Sequence, residues 1–215
     1  MRRRTRNLVL GAGLGVAAGV VAFLAGCVHR SGGEWMVRSA SLPEGWPEIT
    51  PVGEVRVRDY PAVRAASVTD ARVGDDGMRP MFMALFGHIK RNEIAMTAPV
   101  AMAYERRGEG EPELASMAFL YRSTALGEAG EDGAVRVEDL PPRTFASVGV
   151  RGGYHARNYE RGLAALEAWE REQEAWRVVG APRYLGYNSP FVPRFARYGE
   201  VQAPVERTGA GPSSP

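Results

Sequence analysis

The chain has 215 residues, 45% of them hydrophobic and 24% charged, which is enough for one ordinary globular domain and too little for several. Lys and Arg number 27 against 25 Asp and Glu, and the single cysteine excludes a disulfide framework and any multi-cysteine metal cluster.

Arg2, Arg3, Arg4 and Arg6 make a basic start, Leu8 to Ala25 is uncharged and largely apolar, and Leu24-Ala25-Gly26 leads into Cys27. This resembles a bacterial lipoprotein signal peptide over residues 1–26, with Cys27 as the lipidated residue. Cleavage there removes four arginines and no acids, leaving 23 basic and 25 acidic residues, net −2. A nucleic-acid binder is then not expected, because phosphate neutralisation needs a basic surface. Several acyl chains on Cys27 would hold the protein at a membrane of the cell envelope, since two or more chains anchor stably. Val28 in place of Asp after the cysteine favours the outer membrane, by analogy with enterobacterial sorting. An uncleaved transmembrane anchor and an ordinary secretory peptide are the alternatives, the first because the apolar run reaches about 18 residues.

Residues 27–48 contain Gly32, Gly33, Pro43, Gly45 and Pro47 without sustained periodicity and read as a tether, and 207–215 as a polar, disordered tail. Residues 49–206 remain as the domain. Within it, Val55-Arg-Val-Arg-Asp-Tyr-Pro61 realigns with Val135-Arg-Val-Glu-Asp-Leu-Pro141, and Ala66-Ser67-Val68 with Ala146-Ser147-Val148, at one offset of 80. Each copy reads as a strand, a proline corner and a second strand.

Met78, Met81, Phe82, Leu85, Phe86 and Ile89 lie on one face of a helix, with Pro80 tolerated in its first turn. Tyr159, Leu163, Leu166 and Trp169 form a second stripe behind Asn158, a candidate N-cap. Strand-like runs follow each helix, Ile94 to Ala103 and Leu114 to Tyr121 after the first, the Tyr184 region and Phe195 to Val201 after the second. The expectation is an α+β fold of duplicated strand-helix-strand-strand halves, about 52–125 and 132–205. Together they would form a distorted antiparallel β-barrel or sheet with two helices and a cleft where the halves meet.

Catalytic and metal signals are sparse. No two of His29, His88 and His155 have metal-ligand spacing, and Ser189 is not in a nucleophile elbow. His88 falls about 90° from the centre of the apolar stripe. It reads first as a boundary histidine whose cation suits a helix C-terminus and second as a residue facing a groove. Six of eight methionines, Met78, Met81, Met83, Met96, Met102 and Met117, fall within forty residues, which suits a core and also a flat apolar ligand. Arg79, Lys90 and Arg91 bracket the first helix as solvated helix-end charges or as a clamp for a carboxylate. The segment from Tyr184 to Pro193, with Tyr187, is a rigid aromatic loop, pocket wall or structural corner.

Asn92-Glu-Ile-Ala-Met-Thr-Ala-Pro-Val100 is similar to the signature of the SOUL haem-binding family, and Tyr187-Asn-Ser-Pro-Phe-Val-Pro193 with Glu200-Val201 resembles its C-terminal segment. The resemblance spans about Ile49 to Val205. It implies a distorted barrel of two repeated halves, related to ligand domains of bacterial drug-sensing regulators, and haem or another tetrapyrrole in an apolar cleft beside the first helix. On that reading Met78, Met81, Phe82, Leu85, Met96 and Tyr187 are the candidate wall, Arg79, Lys90 and Arg91 the partners of ligand carboxylates, and His88 a conceivable axial ligand that no alignment of motifs supports. Two other functions are open. One is hydrolysis of apolar small molecules, with Glu93 and Tyr121 as first candidates; the other is a ligand-free envelope interaction protein packed by Trp169 and Trp176.

Overall fold

The computed structural model describes residues 28–31, 34–37, 40–70, 77–189 and 191–209. Cys27, the signal segment and residues 210–215 of the expected tail lie outside them. Strands β1 (Val28–Ser31) and β2 (Glu34–Val37) pair antiparallel, with Val28 opposite Val37. The rest builds one ten-stranded sheet and two helices. The first half contributes β3 (Val55–Tyr60), β4 (Val63–Thr69), α1 (Met78–Arg91), β5 (Val100–Glu105) and β6 (Glu113–Leu120). The second contributes β7 (Gly130–Asp132), β8 (Val135–Leu140), β9 (Arg143–Arg151), α2 (Ala156–Glu172), β10 (Trp176–Val178), β11 (Arg183–Gly186) and β12 (Tyr198–Arg207).

The hydrogen-bonded order is β3-β9-β12-β11-β5-β6-β4-β8-β7, with β10 on β12. Exchanging each strand for its partner 80-odd residues away reverses β3 through β8 into itself, so the duplication is a pseudo-twofold of the sheet. The register agrees residue by residue. Arg56 pairs with Ser147 and Val57 with Ala146, while Arg136 pairs with Ser67 and Val137 with Ala66. The axis passes where Tyr184 on β11 meets Met102 on β5. The Val-Arg-Val strands do not pair with the strand that follows them. At Pro61 and Pro141 the chain turns into the other half's neighbourhood instead, so β3 pairs with β9 and β4 with β8. The path is open, with β3 and β7 as its edges; of the two forms expected, barrel or sheet, the sheet is the one realised among the described residues.

Alternation along the strands separates two faces. Ala66, Val68, Met117, Phe119, Ala146, Val148 and Val201 face the helices and form the main core with Met81, Leu85, Tyr159 and Leu166. The opposite face is covered by the segment entering the domain. Leu42, Trp46 and Ile49 pack on Ala101, Leu185, Tyr187 and Tyr198. The residues read as tether therefore belong to the fold from Ser41 onward, where Ser41 bridges Thr97. Gly149 permits that approach, since a Cβ there would stand 2.3 Å from the Thr50 carbonyl oxygen.

Helix α2 begins at Ala156 with His155 as N-cap, and not at Asn158. Asn158 lies inside the first turn, and its Nδ2 donates to the Gly153 carbonyl at 2.7 Å, closing the glycine-rich turn from within. Among the described residues no helix is long and apolar enough to cross a membrane.

Candidate functional site

Three places collect the side chains singled out by the sequence. The first is a groove beside α1, of about 190 Å³, walled by Phe82, Met96, Val100, Tyr187 and Asn188, with Ala40 at its rim. It exists because residues 94–99, expected as strand, run irregularly between α1 and β5 and leave Met96 half-buried instead of paired. Phe82 stacks on Phe86 at 6.0 Å and meets Phe119 edge-on at 5.2 Å. Phe82, Phe86 and Lys90 follow at intervals of four, one strip of the helix surface, with Arg79 one turn before it. Arg79 and Lys90 are both exposed.

Met81 and Leu85 do not join this wall. Both are fully buried in the main core, where each contributes about 1.5–3 kcal/mol of apolar burial. Their place in the stripe made them look like lining, but the sheet takes the centre of a helix's apolar face and only its flank is left for a ligand. Met78 is exposed at the N-terminus of α1.

The second place surrounds His88, which is buried, 4% exposed, and not a surface cation. Its Nδ1 lies 2.6 Å from an Asp132 carboxylate oxygen and its Nε2 2.7 Å from the Tyr121 hydroxyl. A carboxylate only accepts, so Nδ1 carries a proton, and in the neutral ring Nε2 accepts from Tyr121. Arg91 also donates to Asp132, at 2.8 Å, so it is committed to this cluster. The hydrogen bonds from His88 first and Arg91 second hold the Asp132 carboxyl below its ordinary range. Burial pushes the Tyr121 phenol up, which keeps it a proton donor. A polar pocket of about 300 Å³ opens here between Asn92, Ile94 and the 127–132 turn. Such a carboxylate-imidazole-hydroxyl chain can pass a proton. Glu93, the acid expected beside Tyr121 for hydrolysis, is exposed and lines no part of this pocket.

The third is a nest around Glu200, fully buried on the opposite face of the sheet. Its carboxylate accepts from the Thr50 amide at 2.7 Å, Ser147 Oγ at 3.0 Å, Gln202 Nε2 at 3.1 Å and the hydroxyls of Tyr187 at 3.2 Å and Tyr198 at 2.9 Å. Burial, then the Glu200 charge, drive the phenol of Tyr187 far up. Arg183 lies over Phe145 at 4.2 Å and donates to Gln202 at 3.1 Å; burial lowers it to about 10. With its oxygens occupied by protein donors, this carboxylate holds the entering segment onto the sheet. Tyr187 thus serves two places at once, its ring on the groove and its hydroxyl in the nest.

Of the ten residues expected at one site, the structure gathers Phe82, Met96 and Tyr187 at the groove and His88 with Arg91 at the polar pocket. Asp132, Asn92 and Glu200 were missed. Glu200 had a signal, a charged residue inside the otherwise strand-like Tyr198–Val205 run, where burial demands partners. Asp132, on a three-residue strand, had none. Among the described residues no group of three or more His, Cys, Asp or Glu is placed to hold a metal ion.

Comparison with known proteins agrees on the architecture. The EcmrR C-terminal domain superposes with a TM-score of 0.51 at 14% identity, covering 72% of this chain and 98% of that one. An uncharacterised conserved protein from Listeria innocua gives 0.52 at 10% identity, over 73% and 94%, and a hydrolase from the same organism 0.51 at 11%, over 73% and 94%. These show a shared fold. No curated protein matches. The profile of the SOUL heme-binding protein family matches residues 48–204, nearly all of the sheet and both helices, and the chain belongs to that family.

Proposed function

We propose that the chain is a lipid-anchored binding module of the bacterial envelope, holding a planar apolar molecule of the haem class against the groove beside α1. The observation that supports it most is the Phe82–Met96–Tyr187 wall continued by the exposed ring of Phe86, an apolar strip ending in the Lys90 cation. At about 190 Å³ the groove is smaller than sites that engulf a ligand, about 300–1,000 Å³. It takes one edge and face of a ring.

The residues fit haem as an apolar plate bearing two carboxylates, and do not fit axial coordination by histidine. Both ring nitrogens of His88 are engaged, and His88 opens on the polar pocket instead. Phe82, Met96 and Tyr187 would pack the ring, and Lys90 or Arg79 would pair its carboxylates. Burial supplies affinity at about 25 cal/mol per Å² before ordering costs.

Titration of the purified protein with hemin tests this. A saturable Soret change at about micromolar protein, weakened tenfold or more by Phe82→Asp and retained in Asn92→Ala at the polar pocket, is the expected result. No saturable change, or one indifferent to Phe82→Asp, would overturn it.

The Asp132–His88–Tyr121 chain favours a second reading, acid–base catalysis on a small molecule in the polar pocket. Turnover of an ester or amide panel, lost in Tyr121→Phe while hemin binding persists, would select it.

A further inference from the structure

Two aromatic side chains stand apart from every other large apolar residue described. Phe191 is 96% exposed and Phe195 82%, whereas the next, Met83, is 55%. Both lie on the β11–β12 loop, held by the neighbouring 151–159 segment. Arg151 donates to the Ala196 carbonyl at 3.2 Å, Gly152 N to the Arg197 carbonyl, and the Tyr154 hydroxyl sits between the Asn188 carbonyl and amide. The aromatics are thus presented by a braced loop.

The same two segments, 151–159 and 187–198, contain Arg151, Arg157, Arg194 and Arg197 and no acid. Arg157 is in the first turn of α2, which has no acidic residue, the reverse of what the helix dipole favours. Exposed aromatics on a loop that also carries the exposed Arg194, beside a segment with the exposed Arg157, match the boundary of an anionic bilayer, where rings enter the headgroup layer and guanidinium groups meet phosphates.

The anchor reaches the fold at this end. Ala40 shares the groove rim with Asn188 and Ser189. Val28 is the register partner of Val37, and only Arg38 and Ser39 separate Val37 from Ala40. Three residues span at most about 10 Å. Since the β1–β2 pair folds the intervening chain back on itself, Val28, which follows the expected lipidation site, lies within roughly 16 Å of Ala40.

We infer that Phe191 and Phe195, with the arginines around them, dock on the surface of an anionic phospholipid bilayer and fix the orientation of the tethered domain. This deepens the proposed function and rests on its lipid anchor. The groove then opens beside the membrane, from which an apolar ligand can enter directly.

The lipidated chain, reconstituted in vesicles of phosphatidylethanolamine and phosphatidylglycerol at about 3:1, carries an environment-sensitive thiol label at Phe191→Cys or at Glu109→Cys. Position 109 is on the β5–β6 loop, the symmetry partner at the opposite end of the sheet because β5 and β11 are antiparallel. The label at 191 is expected to brighten several-fold and to be quenched by nitroxide lipids. The label at 109 should stay as in water, and Arg194→Glu should reduce the gain at 191 several-fold. Equal responses at 191 and 109, an unchanged response in Arg194→Glu, or a response at 191 only when a protein partner is added would overturn the docking. Label stoichiometry reports the anchor separately, because lipidated Cys27 is a thioether. One label per chain upholds the anchor, and two overturn it while the response of 191 to added vesicles still decides the loop.

Discussion

The two halves of the sheet carry the same backbone and opposite chemistry. Ser67 and Ser147 occupy matching registers, and the strand beyond each is β6 in one half and β12 in the other. There Glu200 and Gln202 stand where the first half has Ser116 and Ala118. The far face is a polar nest on one side of the axis and an apolar patch of Val63, Ala65 and Leu120 on the other. The helices diverge in the same way. At a spacing of 81 the buried Leu85 of α1 recurs as the buried Leu166 of α2, while Gly162 and the half-buried Trp169 stand where α1 has Met81 and His88. Duplication preserved the pairing of strands, which depends on backbone hydrogen bonds. It left the side chains free to differ, on the far face and also in the core where Gly162 answers Met81.

The sharpest way to break this comparison is at Glu200. Glu200→Ala strips a buried carboxylate from its hydrogen-bond donors and from its neighbour Arg183, and should cost about 3–5 kcal/mol. Its counterpart Ser116→Ala should change stability by no more than about 0.5 kcal/mol. Urea unfolding of the two variants measures both; similar losses would mean that the halves are energetically alike.

A smaller contrast lies in the helices. A Cβ on Gly162 would stand 2.3 Å from Val201 Cγ2, so Gly162→Ala should destabilise by about 1–3 kcal/mol through overpacking. At Gly87 the nearest atom is an Arg91 side-chain nitrogen at 3.5 Å. Gly87→Ala should stabilise by about 0.4–1 kcal/mol by narrowing the unfolded ensemble. Thermal midpoints moving in opposite directions would sharpen the picture of α2 seated closer to its strands than α1.

The smallest effect is on acid stability. Asp132 has a folded pKa held below its unfolded value, so its contribution is complete above the unfolded value of about 3.9 and is lost as pH falls through the folded one. Asp132→Asn should flatten the decline of the urea midpoint as pH falls below about 4. An unchanged slope would detach the His88 cluster from stability.

Much of the architecture was legible because a period of 80 residues records strand pairing, and the stripe from Met78 to Ile89 records a helix on a sheet. The site was less so. Periodicity places Met81, Phe82 and Leu85 on one face but cannot say that the sheet buries the first and third and spares the second. His88 looked peripheral because its partner Asp132 is 44 residues away and sits on a strand with no hydrophobic pattern. The segment 41–48 looked loose because it has no repeat pattern, yet Leu42 and Trp46 pack on the far face of the sheet and Trp46 donates to the Tyr187 hydroxyl of the nest, with neither helix nor strand.

The strand exchange at the proline corners has a consequence for ancestry and for dissection. A fragment of the second half keeps the β7–β8 and β9–β12 pairs but loses β4, β3 and β5, which bares one edge each of β8, β9 and β11 that only another copy could satisfy. An ancestral unit of this length would have been an obligate intertwined dimer, and joining its two copies into one gene would have turned a concentration-dependent assembly into a folding reaction within a single molecule.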